Sequence, residues 1–123
     1  MPSKIKVYRI KDFIRMTESG LLDLDRSISI IRELATEANY LKNHNILLDL
    51  RETDIHASLR DLLEISLEFA RHYKVFQNKI AVLIPNTEDR LQIASLLKTS
   101  MDFQGFEFNQ FFDFEKAIKW LAD

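Results

Sequence analysis

A chain of 123 residues, 46% hydrophobic and 29% charged, with two glycines and two prolines, has room for one domain with a sizeable core and none for a second; extended disorder and low-complexity linkers are excluded by the same numbers. A formal net charge of -2 supplies no global attraction to polyphosphate. Cysteine is absent, which removes disulfides, thiol catalysis and thiolate metal ligation together.

Nucleic-acid binding would therefore need a local basic patch. The best candidate, Lys4, Lys6, Arg9, Lys11 and Arg15, is broken by Asp12 and runs into Glu18; it reads as charge guarding an early edge strand, and no nucleic-acid partner is expected. The beginning lacks the apolar core of a signal peptide, and no apolar run approaches the roughly 20 residues that span a bilayer, so cytoplasmic residence without a transmembrane segment is the expectation.

Ile5 and Val7, then residues 13–17, lie in alternating stretches that predict two short strands joined around Lys11 and Asp12 as a hairpin, the second ended by Gly20. A helix follows from Asp23 or Asp25, with Ile28, Ile31, Ala35 and Ala38 at helical spacing and Leu34 and Leu41 widening the stripe, and it stops near Asn43. The continuous apolar run 46–50 is a strand buried on both faces, as is 80–84.

Between them, Leu59, Leu62, Leu63, Ser66, Phe69, Ala70 and Tyr73 mark the inner face of a second helix, with Arg60, Asp61, Glu64, Glu68 and Arg71 facing water. Pro85 blocks further pairing, Asn86 or Thr87 caps a third helix with inner face Ile93, Ala94, Leu97 and Met101, and Gly105 reopens the chain. Residues 106–112 read as a last strand, and Asp113 caps a closing helix with Phe114, Ala117, Ile118 and Leu121 inward. The result is an α/β fold in a single small domain. Its order is β-β-α-β-α-β-α-β-α, a mixed, mostly parallel sheet flanked by helices.

Such sheets bind ligands at the carboxyl ends of their strands. The turns there hold no glycine, and Asp25, Asp61, Glu88, Asp89 and Glu115 sit at or near helix starts, where they complement the helix dipole and repel phosphate. A nucleotide-binding loop is not expected. Residues 51–58 are the most functional-looking stretch: Arg51, Glu52, Asp54, His56 and Ser58 combine charge, imidazole and hydroxyl in a polar loop, and are the candidates for ligand or partner binding. A hydrolase built on Ser58 and His56 demands convergence that two-residue spacing does not ensure, and Ser58 reads first as the cap of the second helix, with Asp61 closing a capping box. No catalytic set is assigned.

His44, His56 and His72 lie in different elements without paired spacing, so no metal and no cofactor are expected. The C-terminal third is dense in rings; Phe106, Phe108, Phe112 and Trp120 are the candidates for lining an apolar pocket or a patch that recruits a partner or a second copy of the chain.

The order of elements, the segment Glu18-Ser-Gly-Leu-Leu-Asp23, the strands 46–50 and 79–84, and the ending Phe112-Asp-Phe-Glu-Lys-Ala-Ile-Lys-Trp-Leu121 resemble the SpoIIAA-like proteins. These are relatives of the STAS (anti-sigma-factor antagonist) domains and, by fold, of the CRAL-TRIO lipid-binding domains. The resemblance implies a phosphorylation site on a serine at the start of the second helix, where the family carries Asp-Ser-Ser-Gly. That loop falls on Ala57-Ser-Leu-Arg60, in which Ser58 alone matches. The function implied is a non-enzymatic regulatory or protein-interaction module, with a protein partner or homodimer, docking through the loop after the strand 46–50. The alternative is a carrier or sensor of a small apolar, lipid-like ligand held by the aromatic C-terminal third.

Overall fold

The computed structural model describes residues 12–123. The expected strand at Ile5 and Val7, its hairpin, and most of the basic N-terminal set lie outside them. Within them the elements are β1 (Phe13–Leu22), α1 (Leu24–Tyr40), β2 (Asn45–Ile55), α2 (Leu59–Arg71), β3 (Ile80–Leu83), α3 (Glu88–Phe103), β4 (Phe108–Phe111) and α4 (Phe114–Leu121).

Among the described residues the strands form one sheet in the order β1-β2-β3-β4, with every pairing parallel. Leu48 lies opposite Val82, so the two apolar runs are adjacent and run in one direction. Strand order equals chain order, and right-handed crossovers then carry α1, α2 and α3 to the same face. The alternation of β2 and β3 serves both faces: Ile46, Leu48, Ile80 and Val82 join the three-helix core, while Leu47, Ala81 and Leu83 pack with Ala117, Ile118 and Leu121 of α4. Leu34, Leu47, Ile80, Leu83 and Met101 are completely enclosed.

Helix starts follow the local chemistry. Asp23 accepts from the backbone N–H of Arg26, Thr87 from that of Arg90 and Asp113 from that of Glu115. Ser58 and Asp61 form the reciprocal capping box at α2, with both bonds at 3.1 Å. Gly105, at φ +89°, turns the chain out of α3.

Three expectations are corrected. Gly20 does not end the first described strand: it lies inside β1 at φ +86°, and pairing continues to Leu22. Residues 51–55 are strand, because β2 runs on beside β1 after β3 has stopped at Leu83. The last strand is shorter than 106–112, since Phe106 and Glu107 precede the ladder.

The continuation of β2 depends on a bulge. Thr17 faces Asp49 and Ser19 faces Glu52, so Leu50 and Arg51 together oppose Glu18. The Arg51 N–H donates instead to Asp49 Oδ1 at 3.1 Å, and Thr53 Oγ1 donates to the Leu50 carbonyl at 2.6 Å. The bulge thus supplies its own partners and places Asp49 and Arg51 beside one another.

Candidate functional site

At the carboxyl end of the sheet the polar candidates separate by strand alternation. Thr53 is buried and Ile55 half-buried, while Glu52, Asp54 and His56 are exposed. Arg51 is bound to Asp49 through Nε at 3.0 Å and Nη2 at 2.8 Å. Arg15 of β1 stands 3.8 Å from the same carboxylate and 5.0 Å from the centre of the Phe114 ring. Hydrogen bonds from Arg51 hold Asp49 below the usual carboxylate range against its burial. This trio occupies the part of the sheet face that α4 leaves open.

Ser58 stands at the start of α2, exposed, with its oxygen engaged as an acceptor by the helix. Among the described residues no hydrogen bond joins it to His56, so the contact that would activate a serine nucleophile is not made. Nor do three histidine or carboxylate side chains among the described residues converge on a point where a metal ion would fit.

The four aromatic candidates do not share a pocket. Phe106 and Phe108 enter the three-helix core beside Phe69, with ring centres 6.2 Å away in each case. Phe112 lies past the end of β4 and is exposed. Trp120 packs from α4 against Phe111 on the opposite face, with Lys79 Nζ 5.2 Å from its ring centre. Alternation along β4 and the switch of α4 to the other face divide the rings between two cores.

A cavity of about 80 Å³ does exist, between the sheet and the three-helix layer. Phe108 is its contribution from the C-terminal strand among those four; Leu48, Ile55, Phe69, Ile84 and Arg90 are also in its wall. Arg90 is buried and was not foreseen. It donates through Nη1 to the Thr53 carbonyl at 2.7 Å and to Thr53 Oγ1 at 3.1 Å, replacing the β3 partner that the end of β2 lacks. The signal was present in the helix phase, because Arg90 precedes Ile93, Ala94, Leu97 and Met101 by intervals of three, four, seven and eleven.

Glu68 also departs from expectation. It faces α1 instead of water and is 2% exposed. His72 Nε2 meets its Oε2 at 2.7 Å, Arg71 its Oε1 at 2.8 Å, and Arg32 of α1 both oxygens at 3.4 Å. A carboxylate only accepts, so His72 Nε2 carries the proton. Burial pushes the Glu68 carboxyl up, but the bonds from His72, Arg32 and Arg71 outweigh it and hold the group below its usual range. The i, i+3 and i, i+4 spacings of Arg71 and His72 were legible; the reach of Arg32 across 36 positions was not.

On α2, Leu59, Leu63 and Leu67 are 64%, 57% and 50% exposed, where Leu59 and Leu63 were expected to face inward. The buried face instead follows Leu62, Ile65, Ser66, Glu68 and Phe69. Ser66 and Ser100 hydrogen-bond across the α2–α3 seam, and Leu96 and Phe103, one turn to each side of Ser100 on α3, are also exposed.

No protein-family model matches the chain, and comparison with curated proteins and with solved structures gives no match either. No helix among the described residues is long and apolar enough to cross a membrane.

Proposed function

We propose that the chain is a non-enzymatic regulatory or protein-interaction module of the STAS-like type, which docks a protein partner on the outer face of α2 beginning at Ser58. The observation that carries this reading is the run Leu59, Leu63 and Leu67, three large apolar side chains one turn apart and at least half exposed. Scattered exposed leucines need no explanation, but a stripe at helical spacing along one helix has the form of a contact surface. Glu52, Asp54 and His56, exposed polar groups, precede its start along the chain.

The family resemblance adds Ser58 as the place where phosphorylation would act. A phosphate there meets the favourable end of the α2 dipole and also Asp61, whose carboxylate accepts from the Ser58 N–H. The capping box would have to open for the modified side chain to turn toward the partner. That makes the start of α2, and not a flexible loop after the strand 46–50, the element through which a modification would be felt.

The test is affinity purification from the native source with the unaltered chain and with Leu63→Asp/Leu67→Asp, followed by mass spectrometry. A defined partner should be retained by the first and lost with the second, while far-ultraviolet circular dichroism stays the same. Equal recovery of that partner by both proteins would refute the docking face. A concentration-dependent dimer that the double variant abolishes would instead identify a second copy as the partner.

A further inference from the structure

The cavity between the sheet and the helices reaches the carboxyl edge of the strands, where Leu50, Ile55, Ile84 and Arg90 contribute to its wall. That edge is where open α/β sheets take their ligands. Deeper in, the wall is aliphatic and aromatic, and an apolar space of this kind stays dry. Two of its three polar residues are spoken for: Ser27 donates to the Asp23 carbonyl at 2.8 Å and Gln110 to the Ala94 carbonyl at 2.9 Å.

Arg90, the third, is different. It is 7% exposed, yet no carboxylate among the described residues hydrogen-bonds to it. Asp54 acts on it through space alone, and burial pushes the guanidinium below its ordinary value. Thr53 engages Nη1. The edge formed by Nε and Nη2, with three further N–H groups, has no hydrogen-bond partner among the described residues but is not cut off from solvent, and it is the fork that matches a carboxylate.

We propose that this cavity binds a small amphipathic carboxylate, its two oxygens on the Nε and Nη2 edge of Arg90 and its apolar tail between the sheet and the three-helix layer. The pairing answers both halves of the site. A mostly buried cation whose free edge still meets water gains an anion, and an apolar space gains hydrocarbon. Size sets the class: a cavity of about 150 Å³ admits benzene, so roughly half that volume admits a tail of about three carbons. A long acyl chain does not fit. This inference is independent of the docking face on α2, which lies on the outside of the layer.

The experiment is a titration of the intact, isotope-labelled chain by two-dimensional amide NMR with butyrate, its neutral isostere butyramide, and acetate. Butyrate should shift the amides of Ile55, Ile84 and Arg90 saturably. Butyramide should bind about tenfold more weakly for want of charge, and acetate about tenfold more weakly for want of two buried methylenes. Ala94→Leu, which fills the cavity, should abolish the butyrate response. The proposal is overturned if butyrate causes no saturable shift at these amides, if butyramide binds as tightly, or if folded Ala94→Leu responds undiminished. The butyrate and butyramide titrations of the unaltered chain decide the question even where that variant fails to fold.

Discussion

Asp49 and Glu68 are both buried carboxylates, and each survives as an anion because arginines reach it: Arg51 and Arg15 in the first case, Arg32 and Arg71 with His72 in the second. Both are held below the usual carboxylate range in the folded protein. A lowered folded value means that the unfolded chain takes up protons first as pH falls, so their stabilisation is complete above about pH 5 and is lost as pH drops through the folded values. The midpoint of urea unfolding should therefore be level near neutrality and fall in acid. Asp49→Asn and Glu68→Gln should each flatten that fall; a slope unchanged in both would show that other groups carry it. At neutral pH, Glu68→Gln should cost about 1–3 kcal/mol. It stays below the cost of stranding a buried charge, because Arg32 and Arg71 are mostly exposed and regain water.

At the scale of elements, ends and edges matter more than middles. The end of β2 has β1 on one side and the Arg90 guanidinium on the other, which explains how a strand outlasts its neighbour without leaving the Thr53 carbonyl bare. The exit from α3 rests on Gly105 at φ +89°, where an added Cβ would meet nothing closer than the Tyr73 hydroxyl at 3.7 Å. With no steric clash, Gly105→Ala isolates the backbone term. Thermal unfolding should show a loss of about 1–2 kcal/mol, and a neutral result would mean that the turn relaxes to negative φ. Ser58 and Asp61 were readable as a capping box because a cap involves residues three apart. Glu68 was not assigned to the interior because one of its donors, Arg32, lies on another helix, although Arg71 and His72 are on α2 itself.

Across the whole molecule the layers are unequal. Three helices cover one face of the sheet, and on the other the eight residues of α4 cover chiefly β3 and β4. The residues of β2 and β3 from 46–49 and 80–83 are paired on both sides and packed on both faces, whereas 52–55 are paired with β1 alone. Hydrogen exchange should follow that division. Amides of Leu47, Leu48, Ala81 and Val82 should exchange only by global unfolding, and those of Asp54 and Ile55 by smaller local openings. Equal protection in both groups would indicate that the β2 extension is as firmly held as the centre.

What the amino-acid sequence determined by itself was local or periodic: the two doubly buried strands, the helices with the caps Ser58 and Asp113, and the α/β order. These follow from backbone geometry and from side-chain alternation, which act over a few residues. Only the tertiary structure decided that residues 51–55 continue a strand, that Glu68 is interior, that the aromatic candidates are split between two cores, and that Leu59 and Leu63 remain outside. For the first three the deciding partner is distant along the chain: Gly20 and Leu21 for the strand, Arg32 for Glu68, and the switch of α4 to the far face for Trp120. Whether a polar group is buried depends on who meets it there, and that meeting is a property of the packed layers.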